Sequence, residues 1–194
     1  MKTNRQIDPV SLVSRNKYIQ QDRVAEFKSE YHEGRVFAMA GASRNHNRIV
    51  TNISGSLNSQ LKSQDCNNYS SDMRVSILGG RKYVYPDIVV TCGKEDFEDD
   101  NMDILLNPIV IIEVLSDSTE VHDRGTKFFY CQTIASLQEY VLISQDKRCF
   151  EIYRKQGDGT WVYRSFQSES MILDLQSVNC ELTANDVCFK VDGV

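Results

Sequence analysis

The chain is poor in the residues that interrupt regular structure, with 10 glycines and 3 prolines among 194 residues. That scarcity excludes collagen-like and linker-rich architectures, and the lack of any internal repeat sets aside solenoids and propellers. Long apolar runs are missing as well. No stretch approaches the ~18 consecutive apolar residues of a membrane helix, so no membrane partner is expected. The opening MKTNRQIDPVSLVSR carries no apolar leader segment, and the expected location is cytoplasmic. Basic excess is absent too: 22 Lys and Arg stand against 27 Asp and Glu, a net charge of −5. This balance disfavours tight, indiscriminate binding of nucleic acid by phosphate neutralisation, while leaving room for a local basic rim. The six cysteines form no CxxC pair and no Cys/His cluster at zinc spacing. Several alternate with apolar residues, as in Val187-Cys188-Phe189, and all are expected to be reduced structural thiols.

What is present is the composition of a soluble globular protein, 41% apolar and 25% charged, with enough length for one real core. Residues 1–17 read as a loose N-terminal arm and 18–194 as a single domain. RVFAMA (35–40) suits a short strand after a turn at Glu33-Gly34. In SRNHNRIVTNISGSLNSQLK, the apolar residues Ile49, Val50, Ile53, Leu57 and Leu61 recur at steps of three and four, which predicts a helix capped by Ser43 or Asn45. Strand-like pieces follow at Cys66–Tyr69 and Met73–Leu78.

Two segments are different in kind. Residues 83–91 and 108–115 are near-continuous β-branched runs, the pattern of strands buried on both faces, separated by a solvated acidic loop at Lys94–Asp103. A helix is expected from about Ser118 to Thr133, with Phe128, Phe129 and Ile134 facing the core. Glu139–Ser144, Cys149–Arg154 and Trp161–Phe166 read as a meander of strands, and Leu182–Val191 closes the chain with one helical turn. The fold class is therefore α/β (α+β), a sheet with two main helices.

Each β-branched run carries an acid: Asp87 at the mouth of the first, behind Pro86, and Glu113 inside the second. Strand alternation puts Glu113 on the face of Ile111 and Leu115. A carboxylate in a buried strand is costly unless it is paired, hydrogen-bonded or bound to a metal. Two such acids on neighbouring strands repel unless a cation intervenes, and a hard divalent cation that keeps several waters suits them. The plain alternative makes Asp87 a turn residue and pairs Glu113 with an arginine.

The order Pro-Asp, loop, then a strand bearing Glu resembles the PD-(D/E)XK nuclease superfamily. Longer stretches are more specific. EYHEGRVFAMAGASRNHNRIVTNI (30–53), YPDIVV, and IVIIEVLSDSTEVHDRGTKFFYCQTIASLQEYVLIS (109–144) resemble the Uma-two family of restriction-endonuclease-like proteins, over about Glu30 to Arg154. The resemblance implies a central mixed sheet flanked by helices, a divalent metal (Mg²⁺, with Mn²⁺ able to replace it) and phosphodiester hydrolysis on DNA as partner. It makes Asp87 and Glu113 the metal-binding acids. The superfamily's lysine position is Leu115 here, and the resemblance hands the lysine's role to Lys127 of DRGTK, with Arg124 three residues earlier on the same helix side. Glu30 matches an acid that completes the metal shell or holds Lys127, and His46 a histidine that contacts phosphate or water. Ser116 and Ser118 read as helix caps. Arg44, Arg48, Arg74, Arg81 and Lys82 are candidates for a phosphate rim or ordinary solvated surface. A homodimer is compatible with cutting both strands. Two rivals stand beside this reading: a nuclease-fold module that binds DNA or a protein partner without chemistry, favoured by Leu115 and the acidic charge, and a hydrolase of RNA or nucleotides.

Overall fold

The computed structural model describes residues 12–168 and 170–194. Two β-sheets share the chain. In the first, β1 (Ser29–His32) and β2 (Arg35–Ala38) form a hairpin joined by β5 (Lys82–Val84), β4 (Arg74–Ile77) and β7 (Ile104–Leu105), in the order β2-β1-β5-β4-β7. The hairpin turn has positive φ at both Glu33 (47°) and Gly34 (93°), the two-residue geometry whose twist matches that of the strands. The larger sheet runs β11 (Trp161–Phe166), β10 (Phe150–Lys155), β9 (Glu139–Ser144), β8 (Val110–Leu115), β6 (Ile88–Cys92) and β3 (Cys66–Ser70). It is mixed: β8 pairs parallel with β9 and antiparallel with β6, and the expected meander β9-β10-β11 is antiparallel throughout.

Strand β8 lies at the centre and is buried on both faces, as its β-branched run predicts. Val110, Ile112 and Val114 point to one core, which α2 (Arg44–Leu61) covers with Ile49, Val50, Ile53, Leu57 and Leu61. Ser43 caps α2, its hydroxyl accepting from the His46 N–H. A small ribbon of β12 (Ile172–Leu175) and β13 (Cys180–Thr183), then α5 (Ala184–Val187), completes that side. Ile111 and Leu115 point to a second core with Val75, Val84, Cys131 and Tyr140, between the two sheets and the segment after β8.

Four expectations need correction. Residues 83–91 do not form one strand. Tyr85, Pro86 and Asp87 cross from β5 in the small sheet to β6 in the large one, since Pro86 cannot donate to a ladder. The helix expected over 118–133 is broken into single turns, α3 (Glu120–His122), a π-helical turn (Asp123–Lys127) and α4 (Phe128–Cys131). The wide π-turn rotates the side chains after it, so Phe128 stacks on Tyr153 at 4.1 Å while Phe129 stays 59% exposed instead of facing the core. The cysteines are not all reduced: Cys66 and Cys92, directly opposed on β3 and β6, form a disulfide, and Cys131, Cys149, Cys180 and Cys188 are free and buried. Finally, residues 1–11 of the expected arm lie outside the described residues, but from Arg15 the chain is helix α1 (Arg15–Asp22). That helix packs Tyr18 and Ile19 on the outer face of the small sheet against Tyr31 and Tyr83. Arg15 and Arg23 tie it to Glu98, Asp99 and Asp103 of the acidic loop. Among the described residues no helix is long and apolar enough to cross a membrane.

This packing makes two substitutions diagnostic. Leu57→Ala should cost about 2–5 kcal/mol in urea denaturation, because it opens a cavity in a dry core. Phe129→Ser should stay within about 0.5 kcal/mol; a larger loss would mean that residue 129 packs inward.

Candidate active site

The two acids of the β-branched runs converge through strand pairing. Register Ile88↔Ile112, continued by one residue, sets Asp87 opposite Glu113 on adjacent strands. Asp87 is fixed by its Oδ2, which accepts from the Val114 N–H at 2.7 Å and lies 3.1 Å from His46 Nε2. Glu113 is almost fully buried, and its Oε1 accepts no hydrogen bond among the described residues. Its companion is ionic: Lys127 Nζ stands 2.7 Å away.

Lys127 reaches this position from the π-turn. The helix expected from sequence would have put Arg124 and Lys127 on one side, but the wider turn separates them. Arg124 points away and pairs with Glu120 and with Glu151 of β10, outside the site. Lys127, itself buried, lies among three carboxylates: Glu113 at 2.7 Å, Glu30 at 3.3 Å and Asp123 at 3.9 Å. It also donates to the Tyr85 carbonyl at 3.4 Å. Glu30, from β1 in the small sheet, accepts from the Tyr85 N–H at 3.3 Å and faces His122 Nε2 at 3.7 Å. Of the two roles the resemblance left to Glu30, the geometry matches the one that holds Lys127.

Electrostatics follow from this crowding. Burial pushes the Glu113 carboxyl well up, with Asp123 and Asp87 adding to the effect and Lys127 opposing it. Burial would lower Lys127, but Glu113, Glu30 and Asp123 outweigh it and keep the ammonium charged. Burial likewise raises Glu30, yet Lys127, His122 and the Tyr85 N–H bring its carboxyl down to about 2. Three carboxylates (Glu30, Glu113 and Asp123) thus surround the one ammonium of Lys127, while Asp87 is held by His46 and the Val114 N–H. Among the described residues no group of three or more His, Cys, Asp or Glu is arranged to enclose a metal by itself.

Sequence reasoning missed Asp123, His122 and the Tyr85 backbone. Asp123 sits four residues before Lys127, a charge-pair spacing visible in DRGTK. His122 and Tyr85 gave no signal, since their roles come from the meeting of β1 with the π-turn. His46 lies at the site but against Asp87. Of the arginines taken for a phosphate rim, Arg44, Arg74 and Arg81 are ion-paired to Asp192, Asp22 and Glu33.

A mixed sheet whose central strands present two opposed acids beside a lysine belongs, by its fold, with nuclease-like proteins. A crystal structure from Anabaena variabilis, described as "a putative nuclease belonging to DUF820", superposes with a TM-score of 0.75 over 90% of this chain and 97% of that one, at 20% identity. The chain belongs to the Uma2 family, described as "Putative restriction endonuclease", whose model matches residues 15–185. Two relatives come from Synechocystis sp. "Uncharacterized protein slr1290" is 32% identical over 182 residues, 94% of each chain. "Uncharacterized protein sll1609" is 37% identical over 154 residues, 79% of this chain and 87% of its own.

Two outcomes test the electrostatics. Lys127→Met should cost about 3–5 kcal/mol of stability by leaving buried carboxylates uncompensated, and adding Glu113→Gln should restore part of the loss in a double-mutant cycle. The Glu30 carboxyl lies below its ordinary 4.5, so its ionised form stabilises the fold above about pH 4.5, and that contribution fades as pH falls toward 2. The stability difference between wild type and Glu30→Gln, measured by denaturation in metal-free buffer, should therefore shrink over that window.

Proposed function

We propose that the protein is a divalent-metal-dependent endonuclease that hydrolyses DNA phosphodiester bonds. The observation that carries this reading is Lys127 Nζ at 2.7 Å from Glu113 Oε1, which supplies from the π-turn the ammonium that Leu115 cannot. An intact Asp–Glu–Lys arrangement speaks against a module that has lost its chemistry.

The donor set fits a hard cation. Two opposed carboxylates, with Glu113 Oε1 buried and engaged only by the Lys127 ammonium, suit Mg²⁺, which takes one or two carboxylates and keeps several waters. Asp87 and Glu113 would hold it, with Mn²⁺ able to replace it. Bound there, the ion would acidify water and offset charge on a phosphoryl oxygen. The remaining work falls to protein groups. The Val114 N–H and His46 keep the Asp87 carboxylate in one orientation. Lys127, held by Glu30 and the Tyr85 carbonyl, keeps a charged donor beside Glu113, where negative charge develops on the phosphate during hydrolysis.

In a plasmid-nicking assay with Mg²⁺ or Mn²⁺, Asp87→Ala should abolish cleavage and remove a calorimetric Mn²⁺ site. Lys127→Met should slow cleavage ~10²- to 10³-fold, as expected for loss of one transition-state donor. Intact DNA with wild-type protein under both metals, together with Mn²⁺ affinity indifferent to Asp87→Ala, would refute the reading. Parallel assays on RNA and single-stranded DNA separate it from the RNA-directed alternative.

A further inference from the structure

Next to the candidate centre, three basic residues stand in one cross-strand row. Arg35 of β2 is paired with His32 of β1, and His32 with Lys82 of β5. Directly opposed residues of antiparallel strands share a face, so all three side chains project to one side of the small sheet. Glu30 shares that face two residues before His32, so the row begins roughly 7 Å along the strand from the residue that holds Lys127. Tyr130 of α4 lies against the row: Lys82 Nζ is 3.3 Å from its ring centroid, and the His32 ring meets it edge-on at 5.2 Å.

The row has few counter-charges. Among the described residues Arg35 and Lys82 have no ion-pair partner, and His32 reaches only Glu33, at 3.9 Å. Lys82 is nevertheless 95% buried, being 5% exposed. Burial pushes its ammonium down to about 8, with Glu33 and Glu30 opposing. Burial, then Lys82, Arg35 and His122, lower His32, with only Glu33 acting against them. Arg35 and Lys82 therefore form a local positive spot beside an acidic centre in a chain of net charge −5, and His32, shifted toward its neutral form, adds a ring N–H donor. Phe37, opposite Glu30 on edge strand β2 and 52% exposed, adds an aromatic surface on the same face for a sugar or base to pack on.

We propose that Arg35, His32 and Lys82, with Tyr130 laid against them, form a phosphate-binding subsite that holds a DNA strand at a phosphodiester neighbouring the one at the Asp87–Glu113 centre. The proposal rests on the endonuclease reading for the choice of DNA as ligand. It also accounts for a lysine at this position: the phosphate supplies the direct ion-pair partner that Glu33 and Glu30, acting from farther off, do not.

The test measures binding apart from cleavage. A short fluorescein-labelled DNA duplex is titrated by anisotropy in EDTA with wild type, Arg35→Gln, Lys82→Met, the double variant and Asp87→Asn. Each lost phosphate contact should weaken binding about fivefold at 0.15 M salt and lower the log–log salt slope by about 0.9. The double variant should therefore lose roughly 25-fold. Asp87→Asn should keep its DNA affinity while losing cleavage. Unchanged affinity and slope in Arg35→Gln and Lys82→Met overturn the subsite, whether or not the wild type cuts DNA, and so does a wild type that does not bind the duplex. A wild type that never cuts, but whose binding falls in Arg35→Gln, upholds the subsite and removes the hydrolytic reading alone. Because Arg35 is exposed, its variant decides the matter even if Lys82→Met fails to fold.

Discussion

The ammonium of Lys127 is the interaction around which the site is organised. It is buried, and its partners come from three places: Glu30 from the small sheet, Glu113 from the central strand of the large one, and Asp123 from its own π-turn. A charge taken out of water must recover its solvation from protein groups, and here three carboxylates and a carbonyl supply it. The π-turn meets that demand. A regular helix would send residue 127 along the same side as Arg124, toward β10, whereas the extra residue per turn swings Lys127 inward.

Charge is sorted by position rather than by total. The interior of the site has more acids than bases, while the neighbouring face of the β1–β2 hairpin has bases with little to oppose them. Elsewhere several arginines are engaged in structural ion pairs. Arg23 and Arg74 bind Asp99, Asp103 and Asp22, so the acidic loop after β6 fastens α1 to the small sheet. A net charge of −5 therefore says little about the potential beside the acids, which three adjacent strands set locally.

Much of this was legible in the sequence because it rests on strong local patterns. The β-branched run around Glu113 gave the central strand and the face its carboxylate occupies, and the three- and four-residue steps from Ile49 to Leu61 gave α2. The meander came from its turns. What escaped was set by tertiary contacts. Pro86 reads as a residue inside an apolar run, yet the chain uses it to change sheets. The π-turn has no signature of its own, so Arg124 was placed beside Lys127 and Phe129 in the core. The Cys66–Cys92 bridge depends on a strand register that spacing cannot supply. Asp87, Glu113 and Lys127 were named from sequence, as was Lys82 for a phosphate rim, whereas Asp123 and His122 enter only when β1 meets the segment after β8, and the row of Arg35, His32 and Lys82 only when β2, β1 and β5 pair.

The crossing at Tyr85–Pro86–Asp87 has a consequence for how the molecule is made. One residue of this tripeptide touches the small sheet's Glu30 through its backbone, and another faces Glu113 in the large sheet. No contiguous stretch of the chain carries all four charged groups: Glu30 must await Lys127, almost a hundred residues later, and both sheets must have docked. A nascent chain that has not yet reached Lys127 leaves Glu30 and Glu113 without their buried partner. The centre thus comes into being only with the finished tertiary structure, a built-in safeguard for a chain whose proposed chemistry would be directed at DNA.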